Sequence, residues 1–189
     1  MKEWLETDRL ILRQWRESDR QTFRELNADP RVMEFMPGLL APEASDEMMD
    51  RIQRHFEYHG FGLFAAELRA DQSFIGYIGL SIPRFDAPFM PAVEIGWRIA
   101  ALHWGCGLAT EGAREVLRFS FESAGLDSVV SFTVPGNIRS LRVMEKLGMT
   151  HDPADDFDHP SLPAGHALRR HLLYRLHRRE WDKLHMLNC

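Results

Sequence analysis

At residues 104–109 the chain reads Trp104-Gly105-Cys106-Gly107-Leu108-Ala109, a glycine turn that leads from a predicted strand into a predicted helix. Glycines let a backbone approach a ligand closely, the first amides of a helix lack partners within it, and the helix dipole favours an anion there. The spacing therefore indicates a loop that binds a phosphate group. Because tight strand-to-helix turns in any α/β protein also use glycines, a purely structural interpretation stays open at this point.

The segments on either side of this loop predict a mixed sheet covered by helices. The expected strands cover residues 9–15, 61–67, 74–80, 92–99 and 129–134, with one more starting at Met149 and another spanning 167–176. The expected helices run from a capping box at Ser18-Asp19-Arg20-Gln21 to before Pro30, from Glu43 to His59, from the glycine loop to Gly125, and from Arg139 to Leu147. This order predicts an α/β (α+β) fold with about seven strands and about four helices.

Composition predicts one globular domain over residues 1–189 and excludes several classes of protein. The chain carries 23 Lys and Arg against 28 Asp and Glu, a net charge of −5, so it has no general attraction for nucleic acid. Cys106 and Cys189 are too few for a disulfide scaffold, which favours a reduced, cytoplasmic protein. The uncharged run 99–110 is far shorter than the roughly 20 apolar residues of a membrane span. The opening residues lack the apolar run of a signal peptide, so no membrane association is expected.

A dinucleotide-binding interpretation of the glycine loop meets a difficulty further along the chain. That motif expects an acidic residue roughly 20 positions on, at the end of the next strand. Asp127 has the separation but precedes the predicted strand 129–134, so it lies at the wrong end. Nicotinamide binding is therefore disfavoured.

Several motifs, in order, resemble the GNAT superfamily of acetyl-CoA-dependent N-acetyltransferases, and within it the Rim-type branch that acetylates the N-termini of ribosomal proteins. The phosphate loop of that family has the form Arg/Gln-x-x-Gly-x-Gly/Ala, which residues 104–109 match except at Trp104. Three further stretches resemble its opening strand, its fourth strand, and its last helix with the strand start beyond: Thr7–Arg13, Val93–Trp97, and Asn137–Ser140 with Glu145–Met149.

The resemblance implies a splayed sheet whose fourth and fifth strands part to admit the pantetheine arm of acetyl-CoA. The donor's pyrophosphate would lie on the amides from Gly105 to Thr110, and Trp97, Arg98 and Ile99 would pair with the pantetheine through their backbone. Asn137 would contact the pantetheine arm or the surroundings of the substrate. The implied cofactor-binding set is Trp97, Arg98, Ile99, Trp104, Gly105, Cys106, Gly107, Leu108, Ala109, Thr110 and Asn137. No metal is implied, and a homodimer is one possible assembly.

Proton transfer identifies three candidate catalytic residues. An amine must lose its proton before it attacks a thioester, and Glu94, on the strand expected to hold the acetyl group, is the candidate general base. The alternative is a strand carboxylate paired with an arginine. Many relatives place a tyrosine general acid seven residues after the asparagine of the last helix, where this chain has Met144. Ser140, Tyr174 or water would then protonate the thiolate, although Ser140 also suits a helix cap.

Other side chains invite functional interpretations that compete with structural ones. His55 and His59 have helical spacing but lack the glutamate and third ligand of a zinc site, so we expect surface residues. The loop with Asp152, Asp155, Asp156, Asp158 and His159 either favours a cationic acceptor or is simply solvated. Arginines make the C-terminal end basic, as in a nucleic-acid contact, but Glu180 and Asp182 dilute that charge and disfavour such a contact. Glu111 is best explained by the helix dipole.

Two hypotheses for the function remain. The first is an enzyme that transfers an acetyl group from acetyl-CoA to a primary amine, by direct attack within a ternary complex. The second is a non-catalytic acyl-CoA-binding or regulatory module of the same fold. Glu94 favours the first hypothesis, and Met144 favours the second. The acceptor could be a protein N-terminus, a lysine, a polyamine or a drug.

Overall fold

The computed structural model describes residues 4–186. Met1–Glu3 and Leu187–Cys189 lie outside it, and with them Cys189, one of the two cysteines considered above. This part contains nine strands: β1 Trp4–Glu6, β2 Leu10–Arg13, β3 Leu63–Leu68, β4 Phe74–Ser81, β5 Glu94–Ile99, β6 Ser128–Thr133, β7 Thr150–His151, β8 Phe157–Asp158 and β9 Arg170–His177. It contains five α-helices: α1 Arg20–Ala28, α2 Pro42–His59, α3 Leu108–Glu122, α4 Ile138–Lys146 and α5 Arg178–Met186.

The predicted order of elements is confirmed, with three additions. The two strands β1 and β8 are only three and two residues long, too short to show a periodic pattern. Helix α5 follows β9 directly in an arginine-rich run, which was interpreted as a charged end and not as a helix. The prediction of about seven strands and four helices was therefore low by these three elements.

The chain forms two compact units. The first comprises the described residues up to Ser81 together with Gly96–Val116, and the second comprises Ile82–Ile95 with the described residues from Leu117 onward. In the first unit, β1, β2, β3 and β4 form an antiparallel series, and β4 is followed in the sheet by the end of β5. A side chain at Gly76 would collide with the carbonyl oxygen of Arg98, so this glycine allows β4 to approach β5 closely.

The start of α1 differs from its prediction. The expected capping box of Ser18 and Gln21 is wrong, because α1 begins at Arg20 and its N-cap residue is Asp19. The Asp19 carboxylate accepts a hydrogen bond from the Arg16 amide (2.8 Å) and pairs with Arg13 (2.7 Å). Arg13 also pairs with Glu67 on β3 (2.6 Å), and all three side chains of this Arg13–Asp19–Glu67 cluster are buried. The charges that fix the start of α1 therefore also attach it to β2 and β3.

In the second unit, β9 is the central strand. It pairs antiparallel with β6 along six residues, and also with β7 and β8. The start of β5 runs parallel to β6, and their register consists of the single pair Glu94 and Val130. Such a short parallel pairing agrees with the predicted splay of these two strands.

The core of the second unit is apolar and partly aromatic. Val130, Phe157 and Leu173 are buried at its centre, and Phe85, Phe89, Ala92 and Phe132 pack against them. Trp181 of α5 is also buried, with its ring 5.6 Å from that of Phe121 near the end of α3. None of the helices in residues 4–186 has both the length and the apolar character that a bilayer span requires.

Candidate functional site

The glycine loop is open above its two glycines. Gly105 and Gly107 have φ of +77° and +81°, values that L side chains rarely adopt. A Cβ at Gly105 would meet no atom within 4 Å, and one at Gly107 would meet only Nη2 of Arg9, at 3.6 Å. The amide of Glu111 makes a helical bond to the Gly107 carbonyl (3.0 Å), so the amides just before it belong to the helix start, which lacks intrahelical acceptors.

The side chain of Trp104 anchors the start of the loop. Its indole Nε1 donates a hydrogen bond to the carbonyl oxygen of Ile99 at 2.7 Å, which ties the loop to the last residue of β5. Trp104 stands where the family pattern has arginine or glutamine, and an indole offers no charge to a phosphate. Its observed contact is therefore structural, and a direct contact with acetyl-CoA stays a prediction.

A second anchor comes from the start of β2, about a hundred positions away in the sequence. Arg9 donates to the Cys106 carbonyl from Nη1 (2.9 Å) and to the Glu111 carboxylate from Nε (2.7 Å) and Nη2 (2.6 Å). The Arg9 amide (2.9 Å) and the Thr7 hydroxyl (2.6 Å) donate to the other oxygen of Glu111. We call Thr7, Arg9 and Glu111 the loop clamp, because together they fix both the loop and the first turn of α3.

The loop clamp could not be predicted from the sequence because Thr7 and Arg9 are about a hundred positions away from Glu111. The only hint was that Thr7 and Arg9 belong to a stretch that resembles the opening strand of the family. Burial alone would raise the pKa of Glu111, but hydrogen bonds from Thr7 and Arg9 and the charge of Arg9 outweigh it, so the pKa lies below its usual range. Glu111 is therefore ionised and engaged, which explains it structurally.

The loop as a whole fits a pyrophosphate group. Its glycines leave open space, its amides open a helix whose dipole favours an anion, and Arg9 provides the positive charge that offsets Glu111. The Cys106 side chain is exposed, and its Sγ donates to the Trp104 carbonyl (3.5 Å). No base within hydrogen-bond reach of this thiol is seen in the described contacts, so they offer no support for a nucleophilic role.

Glu94, the candidate base, is the first residue of β5 and is half-buried. It lies opposite Val130 of β6, so the two side chains project to the same face of the sheet. Phe132, two residues beyond Val130, shares this face and packs in the aromatic core. Glu94 thus stands at the edge of an apolar surface within the second unit.

Asn137 is the cap of α4, and the expectation that Ser140 would cap this helix is wrong. The Asn137 Oδ1 accepts a hydrogen bond from the Ser140 amide (3.3 Å), and its Nδ2 donates to the Thr133 hydroxyl (3.0 Å). An asparagine is among the best N-cap residues, and here it lies three positions before the amide that it binds. Contact of Asn137 with the pantetheine, and a proton-donor role for Ser140, both stay predictions.

Tyr174 is the second candidate proton donor. It lies on β9, is buried, and stacks on the ring of His151 at 5.1 Å. Burial raises the pKa of its hydroxyl, and the negative charges of Glu145 and Asp156 raise it further, so Tyr174 keeps its proton at neutral pH. Met144, at the position where relatives place a tyrosine, is fully buried in the core and cannot reach a ligand.

The acidic loop is neutralised by the arginines of the C-terminal end. Four ion pairs among the described residues join the two segments: Asp155 with Arg175 (3.5 Å), Asp156 with Arg170 (3.8 Å), and Asp158 with both Arg169 (3.2 Å) and Arg170 (3.6 Å). Asp156 also binds Nε2 of His151 at 2.7 Å. These pairs weaken both interpretations of the sequence, a surface for a cationic acceptor and a basic patch for nucleic acid.

The two histidines of α2 make local contacts. Their ring centres lie 4.4 Å apart with the rings tilted by 41°, and Nδ1 of His55 lies 2.8 Å from the carbonyl oxygen of Phe61. Within the described residues, no three side chains of His, Cys, Asp or Glu come together as a group that could hold a metal ion.

Comparison with known proteins identifies the family. Residues 9–150 match the family model described as acetyltransferase (GNAT) domain. YkkB of Bacillus subtilis is 34% identical over 146 residues, which cover 77% of this chain and 84% of that protein. FsC-acetyl coenzyme A-N(2)-transacetylase of Aspergillus fumigatus is 31% identical over 95% of this chain and 78% of its own length.

Solved structures agree with the family match. The crystal structure of an acetyltransferase from Agrobacterium tumefaciens is 28% identical, superimposes with a TM-score of 0.75, and covers 94% of this chain and 95% of that one. The chain therefore belongs to the GNAT family of acetyltransferases.

Proposed function

We propose that this protein transfers the acetyl group of acetyl-CoA to a primary amine, by direct attack of the amine within a ternary complex. The open glycine loop at the start of α3, held by Trp104 and the loop clamp, is the observation that carries this proposal. The name of the Aspergillus relative, which includes acetyl coenzyme A and a nitrogen position, supports this choice of donor and acceptor.

In this proposal each part of the donor has its own protein groups. The amides from Gly105 to Thr110 hold the pyrophosphate, with Arg9 beside them. The backbone of Trp97, Arg98 and Ile99 holds the pantetheine arm, and the family resemblance assigns to Asn137 a contact with that arm or with the surroundings of the substrate. The donor supplies an acetyl group already activated as a thioester, so no metal is required.

Glu94 accepts the proton of the acceptor amine. An α-amino group titrates near 7.7 to 8.0 and a lysine near 10.4, so most of the amine is protonated at neutral pH. A carboxylate that takes this proton, directly or through a water molecule, increases the reactive fraction. The half-buried position of Glu94 at the head of β5 is compatible with such an exchange.

Tyr174 is the proposed proton donor to the departing thiolate. Its raised pKa means that the hydroxyl is protonated across the neutral range. A thiolate of this kind resembles cysteine, with a pKa near 8.5, so donation gives only a modest acceleration. Ser140 and water are the alternatives, and the contribution of the acid is expected to be smaller than that of Glu94.

The acceptor class follows in outline from the resemblance to the Rim-type branch. A protein N-terminus is the acceptor that this branch suggests, and a small amine is the other candidate. We place the reaction in the cytoplasm. A homodimer is compatible with this proposal but not required by it.

The second hypothesis, a non-catalytic acyl-CoA-binding module, is favoured by one observation. Met144 is fully buried, so the usual tyrosine acid is absent from its position in α4. The two hypotheses differ in turnover and agree in donor binding.

The deciding experiment combines calorimetry with a thiol-release assay. Acetyl-CoA is titrated into the protein, and release of free CoA is then followed with a panel of peptides, amino acids and polyamines. An enzyme binds the donor and releases thiol in the presence of at least one amine. Binding without release across the panel supports the regulatory module, and absence of binding contradicts both hypotheses.

A further inference from the structure

The side chain of Arg98 is half-buried, and its guanidinium lies among neutral groups. It lies on β5 and donates to Oδ1 of Asn27 from Nη1 and to Sδ of Met36 from Nη2 (3.3 Å). It also lies 5.4 Å from the centre of the Tyr77 ring. Its Nε is buried and has no hydrogen-bond partner. In the described part of the chain, no carboxylate forms an ion pair with Arg98.

This environment is unusual for a charged group. A buried charge is costly unless it is paired and hydrogen-bonded, and a thioether is only a weak acceptor. Other buried or half-buried arginines of the same unit show the normal arrangement: Arg13 binds Asp19 and Glu67, and Arg20 binds Asp50 at 2.7 Å. Arg98 therefore has a partly unsatisfied donor set and no counter-ion within the chain.

Its neighbours hold the guanidinium in place. Asn27 is fully buried, and its Nδ2 donates to the hydroxyl of Ser45 (2.8 Å), which leaves Oδ1 directed at Arg98. The carbonyl of Asn27 also accepts a hydrogen bond from the amide of Leu40 (3.1 Å), so the segment after α1 is tied to the same residue. The guanidinium is thus positioned before any ligand arrives, which lowers the entropy cost of binding.

We propose that Arg98 binds a carboxylate carried by the amine acceptor. A guanidinium presents its N–H groups as a fork that matches the two oxygens of a carboxylate, and Nε is one prong of that fork. The acceptor class is then an amine that also bears a carboxylate, such as an amino acid or a peptide with an acidic group. This inference rests on the proposed function for the presence of an acceptor, but the anion site stands on the geometry of Arg98.

A phosphate of the donor is the other anion that could reach a guanidinium. We assign the donor's pyrophosphate to the glycine loop, which has its own cation in Arg9. The carboxylate of the acceptor therefore remains for Arg98, and the experiment below separates the two sources.

The test compares matched acceptors with and without a carboxylate, and each rate is referred to the deprotonated fraction of its amine. Thiol release is measured with free amino acids and with their carboxamides, for the wild type, Arg98→Met and Arg98→Lys. We expect the wild type to prefer the carboxylate member in kcat/KM by at least about tenfold, or about 1.4 kcal/mol. Arg98→Met should lose this preference, because the carboxylate member is slowed more than the carboxamide. Arg98→Lys, which keeps the charge but not the fork, should retain part of it.

Arg51→Met is the matched control, because Arg51 lies on α2 with nearly half of its side chain exposed and 3.9 Å from Glu47. It removes the same charge and should leave the preference unchanged. Circular dichroism and thermal melting establish that each variant is folded. If Arg98→Met does not fold, the test rests on Arg98→Lys. Its preference for the carboxylate over the carboxamide must then be smaller than that of the wild type.

Binding measurements separate this inference from the proposed function. N-acetylglycine and N-acetylglycinamide are titrated calorimetrically without acetyl-CoA, so no turnover is needed. Tighter binding of the carboxylate, lost in Arg98→Met, supports the anion site even if no amine is acetylated. Equal rates for carboxylates and carboxamides in the wild type would overturn it while leaving the acetyltransferase intact. A tenfold loss of acetyl-CoA affinity in Arg98→Met, with the carboxylate preference unchanged, would assign Arg98 to the donor instead.

Discussion

Gly107 occupies a backbone conformation that a β-branched side chain strains, in the loop that we propose binds the pyrophosphate. With φ at +81° and only Arg9 near its Cβ position, a valine would both strain the loop and cover its amides. We expect Gly107→Val to weaken acetyl-CoA binding by at least about tenfold, or about 1.4 kcal/mol. Isothermal calorimetry measures this directly, and an unchanged affinity would show that the loop does not bind the donor.

Gly165 provides the matched control for backbone strain. Its φ is +80° and a Cβ there would meet nothing within 4 Å, so Gly165→Val introduces similar strain in a different loop. Both variants should lose comparable thermal stability, and only Gly107→Val should lose affinity. A parallel loss of affinity in both would point to a general effect of strain.

Replacement of Glu94 should slow the chemical step and leave the affinity for acetyl-CoA unchanged. Because general-base catalysis is typically worth 10² to 10⁴ in rate, we expect Glu94→Gln to lose about that factor at neutral pH. Part of the rate should return in alkali, where the amine loses its proton without help. The measurement is the dependence of kcat on pH, with acetyl-CoA affinity as the internal control. Wild-type turnover at every pH would make Glu94 a structural carboxylate.

Replacement of Cys106 tests whether the acetyl group is first transferred to an enzyme side chain. The thiol is exposed at the start of a helix, and its observed contact is a backbone carbonyl. We expect Cys106→Ala to retain most of the activity, and initial rates to give intersecting double-reciprocal lines. An acetylated Cys106 peptide detected by mass spectrometry before acceptor is added, with an inactive alanine variant, would establish a covalent route instead.

Residue types alone suggested which side chains to consider, but packing decided their roles. Asn137 and Ser140 were both polar residues near a helix start, and only the geometry shows that Asn137 accepts from the Ser140 amide. Ser18 was the expected cap of α1, whereas the helix starts after Asp19, whose carboxylate binds the buried cation of Arg13. Local spacing predicts which groups are available, whereas distant charges select among them.

At the scale of elements, the loop clamp joins the start of β2 to the first turn of α3 through an ionised carboxylate. The folded pKa of Glu111 is depressed, so its contribution to stability is present above the ordinary carboxyl pKa and is lost as pH falls through the folded value. We expect Glu111→Gln to be less stable than the wild type near neutral pH, with the difference disappearing in acid. Urea denaturation at a series of pH values measures it.

A variant of Arg9 tests whether this residue acts by neutralising Glu111 or by contacting the donor directly. Arg9→Gln leaves the Glu111 carboxylate uncompensated beside the proposed phosphate site, so acetyl-CoA affinity should fall. Arg9→Gln/Glu111→Gln removes that repulsion and should recover part of the loss. A double variant as weak as Arg9→Gln would instead assign to Arg9 a direct contact with the donor.

At the scale of the whole molecule, stability depends on residues beyond the matched family region. That region ends at residue 150, yet Trp181 of α5 is buried against Phe121 of α3. We expect Trp181→Ala to lower the free energy of unfolding by about 3–5 kcal/mol. Chemical denaturation followed by far-UV circular dichroism measures this loss. Trp4→Ala, at a side chain that is 51% exposed, is the control that should change stability little.

Long periodic elements were predictable, and short or charged ones were not. The apolar spacing of α2 and the β-branched run of β6 set their bounds to within a residue or so. The two-residue strand β8 forms only because β9 lies beside it, a fact that no local pattern contains. The glycine loop could be identified from the sequence because its glycine spacing lies within six consecutive residues. The loop clamp and the neutral surroundings of Arg98 bring together distant segments, and the boundaries 1–189 of the domain remain a prediction.

The central position of β9 also bears on how the chain folds as it is synthesised. Thr133 of β6 pairs with Leu172 of β9, so one side of β6 stays without this neighbour until the intervening chain has been made. At typical rates of about 5–20 residues per second, that interval lasts roughly 2–8 s. During it the apolar residues Val129 and Val130 lie on an unpaired strand edge, the kind of surface on which nascent chains aggregate. Slow translation between residues 133 and 172 would prolong this exposure, and a chaperone that covers such an edge would shield it.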